Sequence, residues 1–165
     1  MTNSESTNDN LKEKSSEISQ KTEIVVLKQE INERLIKDFS NLKIMVLDDN
    51  KLFRKYLYKL LEINYNIKSI EMENPKDALE YLKKQLPDLI LLDMEMPYLD
   101  GYSFLKFLRK SDTTKNLPVL PITAINSKEL IINLSKQNIV DFIIKTTTPD
   151  VMLEKFTKVF NKISS

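Results

Sequence analysis

Three aspartates, a threonine and a lysine carry the chemistry this sequence can do. Asp48 and Asp49 close the apolar run LKIMVL, and Asp93 closes DLILLD. Thr123 closes LPVLPIT, and Lys145 closes IVDFII. Carboxylates gathered at one place repel each other unless a cation sits among them. The chain has no histidine and no cysteine, so the ligand atoms on offer are oxygens and the cation that suits them is Mg2+. A carboxylate beside a metal and a lysine is a candidate nucleophile for phosphoryl transfer, in which the protein chiefly positions and stabilises charge. The missing histidines and cysteines also exclude Ser-His and Cys-His relays, zinc-thiolate sites, disulfides and a phosphohistidine on this chain.

These residues need a scaffold that brings strand ends together. From residue 42 onward, short apolar runs alternate with amphipathic stretches, which reads as strand then helix five times over. The strands are expected at 42–47, 67–72, 88–93, 117–123 and 139–144. The helices are expected at 51–63, from Asn74-Pro75 to about 86, at 102–110, after Ser127 and from Thr148-Pro149. That alternation implies an α/β fold with a parallel sheet covered on both faces, and ligands bind such sheets at the carboxyl ends of the strands. Pro121 cannot donate to a sheet ladder, so a break or bulge is expected in the fourth strand.

The segment LDMEMPYLDG at 92–101 holds the only glycine of 165 residues, where ordinary usage would give about a dozen. With Asp48-Asp49, Pro-Ile-Thr-Ala at 121–124 and Lys145, it resembles the receiver domain of two-component response regulators over about residues 42–163. Asp93 to Gly101 matches that family's Asp-x-x-Met-Pro-x-x-Asp-Gly segment. The resemblance implies a flavodoxin-like doubly wound five-stranded parallel sheet of order 2-1-3-4-5. It implies that Asp93 accepts a phosphoryl group from a phosphohistidine on a sensor histidine kinase or histidine phosphotransfer protein. Asp49 and Asp93 would bind Mg2+ directly, Asp48 mainly through water, and Glu95 through its backbone carbonyl. Lys145 would pair with Asp93 and then with the phosphoryl group. Thr123 would turn its hydroxyl to a phosphoryl oxygen while Phe142 rotates inward behind it. Gly101 is expected to supply a turn geometry that other residues reach only with strain. Thr146 stands where the family has proline, so a trans bond is expected there and a different path for the loop that carries Lys145. Gln137-Asn138-Ile139 replaces a small residue before the fifth strand. Ile125 and Glu95 flank the site and suggest slow self-dephosphorylation.

Outside that stretch, residues 1–22 are polar and are expected to be disordered. Ile24, Leu27, Ile31, Leu35 and Phe39 share a helical face, so 23–41 reads as an amphipathic helix. A net charge of +1 and the lack of a basic patch argue against nucleic-acid or membrane partners. The N-terminus has no secretory pattern, so a cytoplasmic location is expected. The stretches that flank the receiver are expected to carry no output domain. The expected output is therefore docking through the fourth helix, fifth strand and fifth helix, as in chemotaxis-type signalling. A phosphorelay intermediate, a phosphate sink and a degenerate, phosphorylation-independent scaffold are the alternatives. An independent enzyme is not expected, since the site suggests only its own phosphorylation and dephosphorylation.

Overall fold

The computed structural model describes residues 38–124 and 127–164. Among the described residues, five strands and five helices alternate: β1 Ile44–Leu47, α1 Lys51–Tyr65, β2 Ile70–Met72, α2 Pro75–Leu82, β3 Leu89–Asp93, α3 Gly101–Lys110, β4 Val119–Thr123, α4 Lys128–Ser135, β5 Ile143–Ile144 and α5 Pro149–Ile163. They form one parallel sheet of order β2-β1-β3-β4-β5, the flavodoxin-like arrangement that the resemblance implied.

Strand alternation divides the core in two. Ile44, Val46, Leu89 and Leu91 point to a cluster closed by α1 and α5, with Phe156 and Phe160 at its centre. Met45, Leu47, Ile90 and Leu92 point to a second cluster with Ala78 of α2, Phe104 of α3 and Leu134 of α4. Strands buried on both faces read as continuous apolar runs, as IMVL and LILLD do.

Four of the five helices begin where a side chain takes the first free amides, and Thr148 before α5 makes no such bond. The Asn50 side chain accepts from the amides of Leu52 and Phe53, that of Asn74 from Asp77, that of Asp100 from Ser103, and that of Ser127 from Leu130. Pro75 and Pro149 occupy the first helical position, as expected.

Several bounds differ from the sequence reading. β2 starts at Ile70 rather than 67, and α2 ends at Leu82 rather than about 86. β5 is two residues long instead of six, and Pro121 accounts for this. The register between β3 and β4 runs unbroken through Leu92↔Pro121, so no bulge forms on that side. Val119 and Thr123, which share the parity of Pro121, direct their carbonyls to Val140 and Lys145 on the β5 side. The missing N–H therefore faces β5, and the interruption falls there. Asp38–Asn41, at the end of the span read as a helix, lead through a turn instead, and Phe39 is buried edge-on against Tyr65 and Phe160. Residues 1–37, with the tail and the rest of that helix, lie outside the described residues.

Candidate functional site

The ends of β1, β3 and β5 meet on one rim of the sheet. Lys145 Nζ lies 2.8 Å from Asp93 Oδ2 and 2.9 Å from Asp48 Oδ2, bridging the two carboxylates. Asp48 and Asp93 are buried, each 2% exposed, while Asp49 faces solvent. One carboxylate oxygen from each of the three aspartates lies within 4.8 Å of the others. Lys145 reaches the site across a turn that holds a trans Lys145–Thr146 bond. Its amide donates to the Thr123 carbonyl at 2.8 Å, which anchors the turn to β4.

The sequence did not reveal how firmly this rim is held. Asp48 Oδ1 accepts from the Asn50 amide at 2.7 Å, and the Asp48 carbonyl accepts from Arg54 Nη1 at 2.6 Å. Arg54 is a buried side chain of α1. The Phe53 ring lies 4.7 Å from Lys145 Nζ and offers its face to the ammonium. The only sequence-level sign of these partners is Asp-Asp-Asn, where Asn50 starts α1 right after the carboxylates.

The electrostatics favour a divalent cation. Burial pushes the Asp93 carboxyl up from 3.8 to about 6, outweighing the hydrogen bonds from Lys145 and from the Glu95 amide, and nearby Asp48 adds to the rise. Burial works against the Lys145 ammonium, but hydrogen bonds to Asp93 and Asp48 more than offset this and raise its pKa. One ammonium among three carboxylates leaves an excess of negative charge. An all-oxygen donor set in that field fits Mg2+.

Gly101 is needed for a reason other than the one expected. Its φ is not positive. A β-carbon on it would collide with the Asp93 carbonyl oxygen and lie 2.7 Å from the Met94 Cα. The glycine therefore lets α3 start directly against the strand end that carries Asp93. The left-handed positions fall to Asn66, Tyr98 and Asn138 instead. Asn138 thus takes the turn before β5 where a small residue was missing.

Thr123 is buried at the end of β4, on the same rim. Phe142 is half-buried and engaged from α5: Lys155 Nζ donates to its carbonyl at 2.8 Å and stands 5.2 Å above its ring. Lys155 also pairs with Asp141. Glu95 donates its amide to Asp93 Oδ1 at 3.1 Å, and its side chain accepts from the Ala124 amide at 2.9 Å. Ile125 lies outside the described residues.

Comparison with known proteins agrees with the fold. Residues 44–157 match the response regulator receiver domain family. Chemotaxis protein CheY-3 of Vibrio cholerae is 33% identical over 124 residues, covering 74% of this chain and 95% of that protein. The CAI-1 autoinducer sensor kinase/phosphatase CqsS of the same species is 31% identical over 114 residues, covering 68% of this chain and 16% of that protein. The receiver domain of the Francisella response regulator 1452 superposes with a TM-score of 0.66 at 31% identity, covering 74% of this chain and 98% of that one. Since the family match spans well over half of its length, this chain belongs to the response regulator receiver family, the phosphorylation-accepting modules of two-component signalling.

Proposed function

We propose that this receiver accepts a phosphoryl group on Asp93 from a phosphohistidine of a sensor histidine kinase or histidine phosphotransfer protein, and that the acyl phosphate switches the binding of a partner. The observation that carries this reading is Lys145 Nζ held at 2.8 Å from Asp93 beside two further carboxylates. A carboxylate oxygen of Asp93 attacks phosphorus, the donor's N–P bond breaks, and its electron pair stays on the imidazole nitrogen. Lys145 then neutralises charge on the new phosphoryl oxygens. Asp49, Asp93 and the Glu95 carbonyl would hold Mg2+ directly, and Asp48 through water. The ion, when bound, supplies positive charge to the phosphoryl oxygens as they approach a carboxylate.

The switch in this reading is the turn of the Thr123 hydroxyl toward a phosphoryl oxygen and the inward rotation of Phe142. The face of α4, β5 and α5 then presents the docking surface. Among the described residues no helix is long and apolar enough to cross a membrane, which is compatible with the cytoplasmic location we propose. Chemistry beyond self-phosphorylation and self-dephosphorylation is not part of the proposal. Likeness to both a chemotaxis protein and a sensor kinase keeps a relay role as the second reading. Passage of phosphoryl from Asp93 to a second histidine would favour it.

Incubation with acetyl phosphate tests the first step. The intact protein is expected to gain the mass of one phosphoryl group in the presence of Mg2+, and Asp93→Ala is expected to gain none. No adduct on folded protein, with a phosphorylated histidine kinase also supplied as donor, would leave the phosphorylation-independent scaffold as the surviving reading.

A further inference from the structure

The Ala124 amide is a donor whose sheet partner has been taken away. Even-numbered residues of β4 face β3: the Ile122 carbonyl accepts from the Met94 amide at 3.1 Å. Continuing that parallel ladder by one step would pair the Ala124 amide with the Met94 carbonyl. That carbonyl instead accepts from the Gly101 amide at 3.2 Å, because the chain turns into α3 there. The Ala124 amide is thus left at the rim, one residue past buried Thr123 and facing the β3 side that carries Asp93. Glu95 Oε2 fills the place at 2.9 Å. The same Glu95 holds Asp93 Oδ1 through its main-chain amide. One residue therefore links the reactive carboxylate to the end of β4.

We propose that the Glu95 carboxylate is a built-in competitor for the phosphoryl group: it holds the Ala124 N–H that an acyl phosphate on Asp93 would take, and it must let go when phosphoryl arrives. The inference rests on the reading of Asp93 as phosphoacceptor. A rim amide freed from its sheet ladder is a ready anion donor. Glu95 and Ala124 are both exposed, so the carboxylate can leave for water without disturbing the core. A phosphoryl group bears more negative charge, is tethered to Asp93, and repels the carboxylate it displaces. Glu95 therefore acts as a positioning residue that sets how readily the site fills. With it in place, acceptance of phosphoryl is weaker than the donors around Asp93 would otherwise allow.

The test is binding of beryllium trifluoride, a phosphoryl mimic, in the presence of Mg2+ to the full chain and to Glu95→Gln and Glu95→Ala, followed by amide NMR. Both variants keep the main-chain donor to Asp93. Without the mimic, the Ala124 amide proton should move upfield in Glu95→Ala. With it, the amide should return downfield as the mimic becomes its acceptor. Affinity should rise roughly three- to tenfold in Glu95→Ala, with Glu95→Gln in between because a neutral acceptor competes less. An Ala124 amide indifferent to Glu95→Ala, or equal affinity across the three proteins, overturns the competitor role and leaves Asp93 as acceptor. Failure of the mimic to bind any of the three, with Mg2+ still bound, overturns the phosphoacceptor reading and the competitor role with it.

Discussion

A methyl group at residue 101 would have no room, because it would sit against the main chain of Asp93 and Met94. The obstruction is backbone, which cannot swing aside as a side chain can. Gly101→Ala should therefore push the start of α3 away from β3, at a cost of about 1–3 kcal/mol typical of overpacked sites. Urea unfolding measures that loss. The displaced atoms belong to the proposed acceptor, so phosphorylation by acetyl phosphate should slow as well. Unchanged stability and rate would mean that α3 can shift without moving Asp93. The residue scale also shows how a glycine-poor chain manages its left-handed turns. Asn66, at the end of α1, and Asn138 adopt positive φ, which asparagine tolerates. Tyr98 adopts φ 66° with its side chain in solvent, so nothing packs against it in return for the strained backbone.

At the scale of elements, Arg109 joins the end of α3 to the turn before β5. Its guanidinium donates to the carbonyls of Gln137 at 2.7 Å, Thr114 at 3.3 Å, Leu117 at 3.1 Å and Asn138 at 3.1 Å. Such a fork cannot be reproduced by an ammonium on a single point. Arg109→Lys should lower stability by about 1–2 kcal/mol, from carbonyls left unpaired in a half-buried place. A denaturation midpoint within error of the parent would show that water replaces the guanidinium there. This contact also marks where the sequence stops being readable. Asp93 and Lys145 were legible because each ends an apolar run, a local pattern tied to side-chain identity. The caps of α2 and α4 were legible for the same reason. Arg109 was not, because its partners are main-chain carbonyls, which carry no residue signature. Phe53 was hidden too, since an aromatic residue on a helix reads as core until its ring is found under Lys145. The six-residue reading of β5 failed because IVDFII is apolar enough for a strand, while its pairing depends on Pro121 in another element. Gly101 was singled out by its rarity, but crowding against β3 exists only once α3 has docked.

Across the whole molecule, the proposed site works against the fold that carries it. Burial raises the folded-state Asp93 carboxyl from 3.8 to about 6. Between those values the folded protein holds a proton that the unfolded chain has released. On this group's account, stability of the metal-free protein therefore falls as pH rises from about 4 to about 6, and it stays low above that. Above about 6 the carboxylate is charged and Lys145 alone does not neutralise the cluster, which is the condition in which a divalent cation stabilises most. Mg2+ at a hundred times its dissociation constant would add about 2.7 kcal/mol, several degrees of melting temperature for a domain of this size. The gain should be full near pH 7.5 and should shrink as pH falls through about 6, where protons compete for Asp93. Melting curves with Mg2+ and with EDTA across that range measure it. Asp93→Asn should melt higher than the parent in EDTA near pH 7.5, because a buried charge has been removed, and it should gain less from Mg2+. A Mg2+ gain that stays constant from pH 5 to 7.5, or that survives Asp93→Asn in full, would place the ion away from Asp93. The first strand-end carboxylates would then be shaping the rim without contributing to a shared metal site.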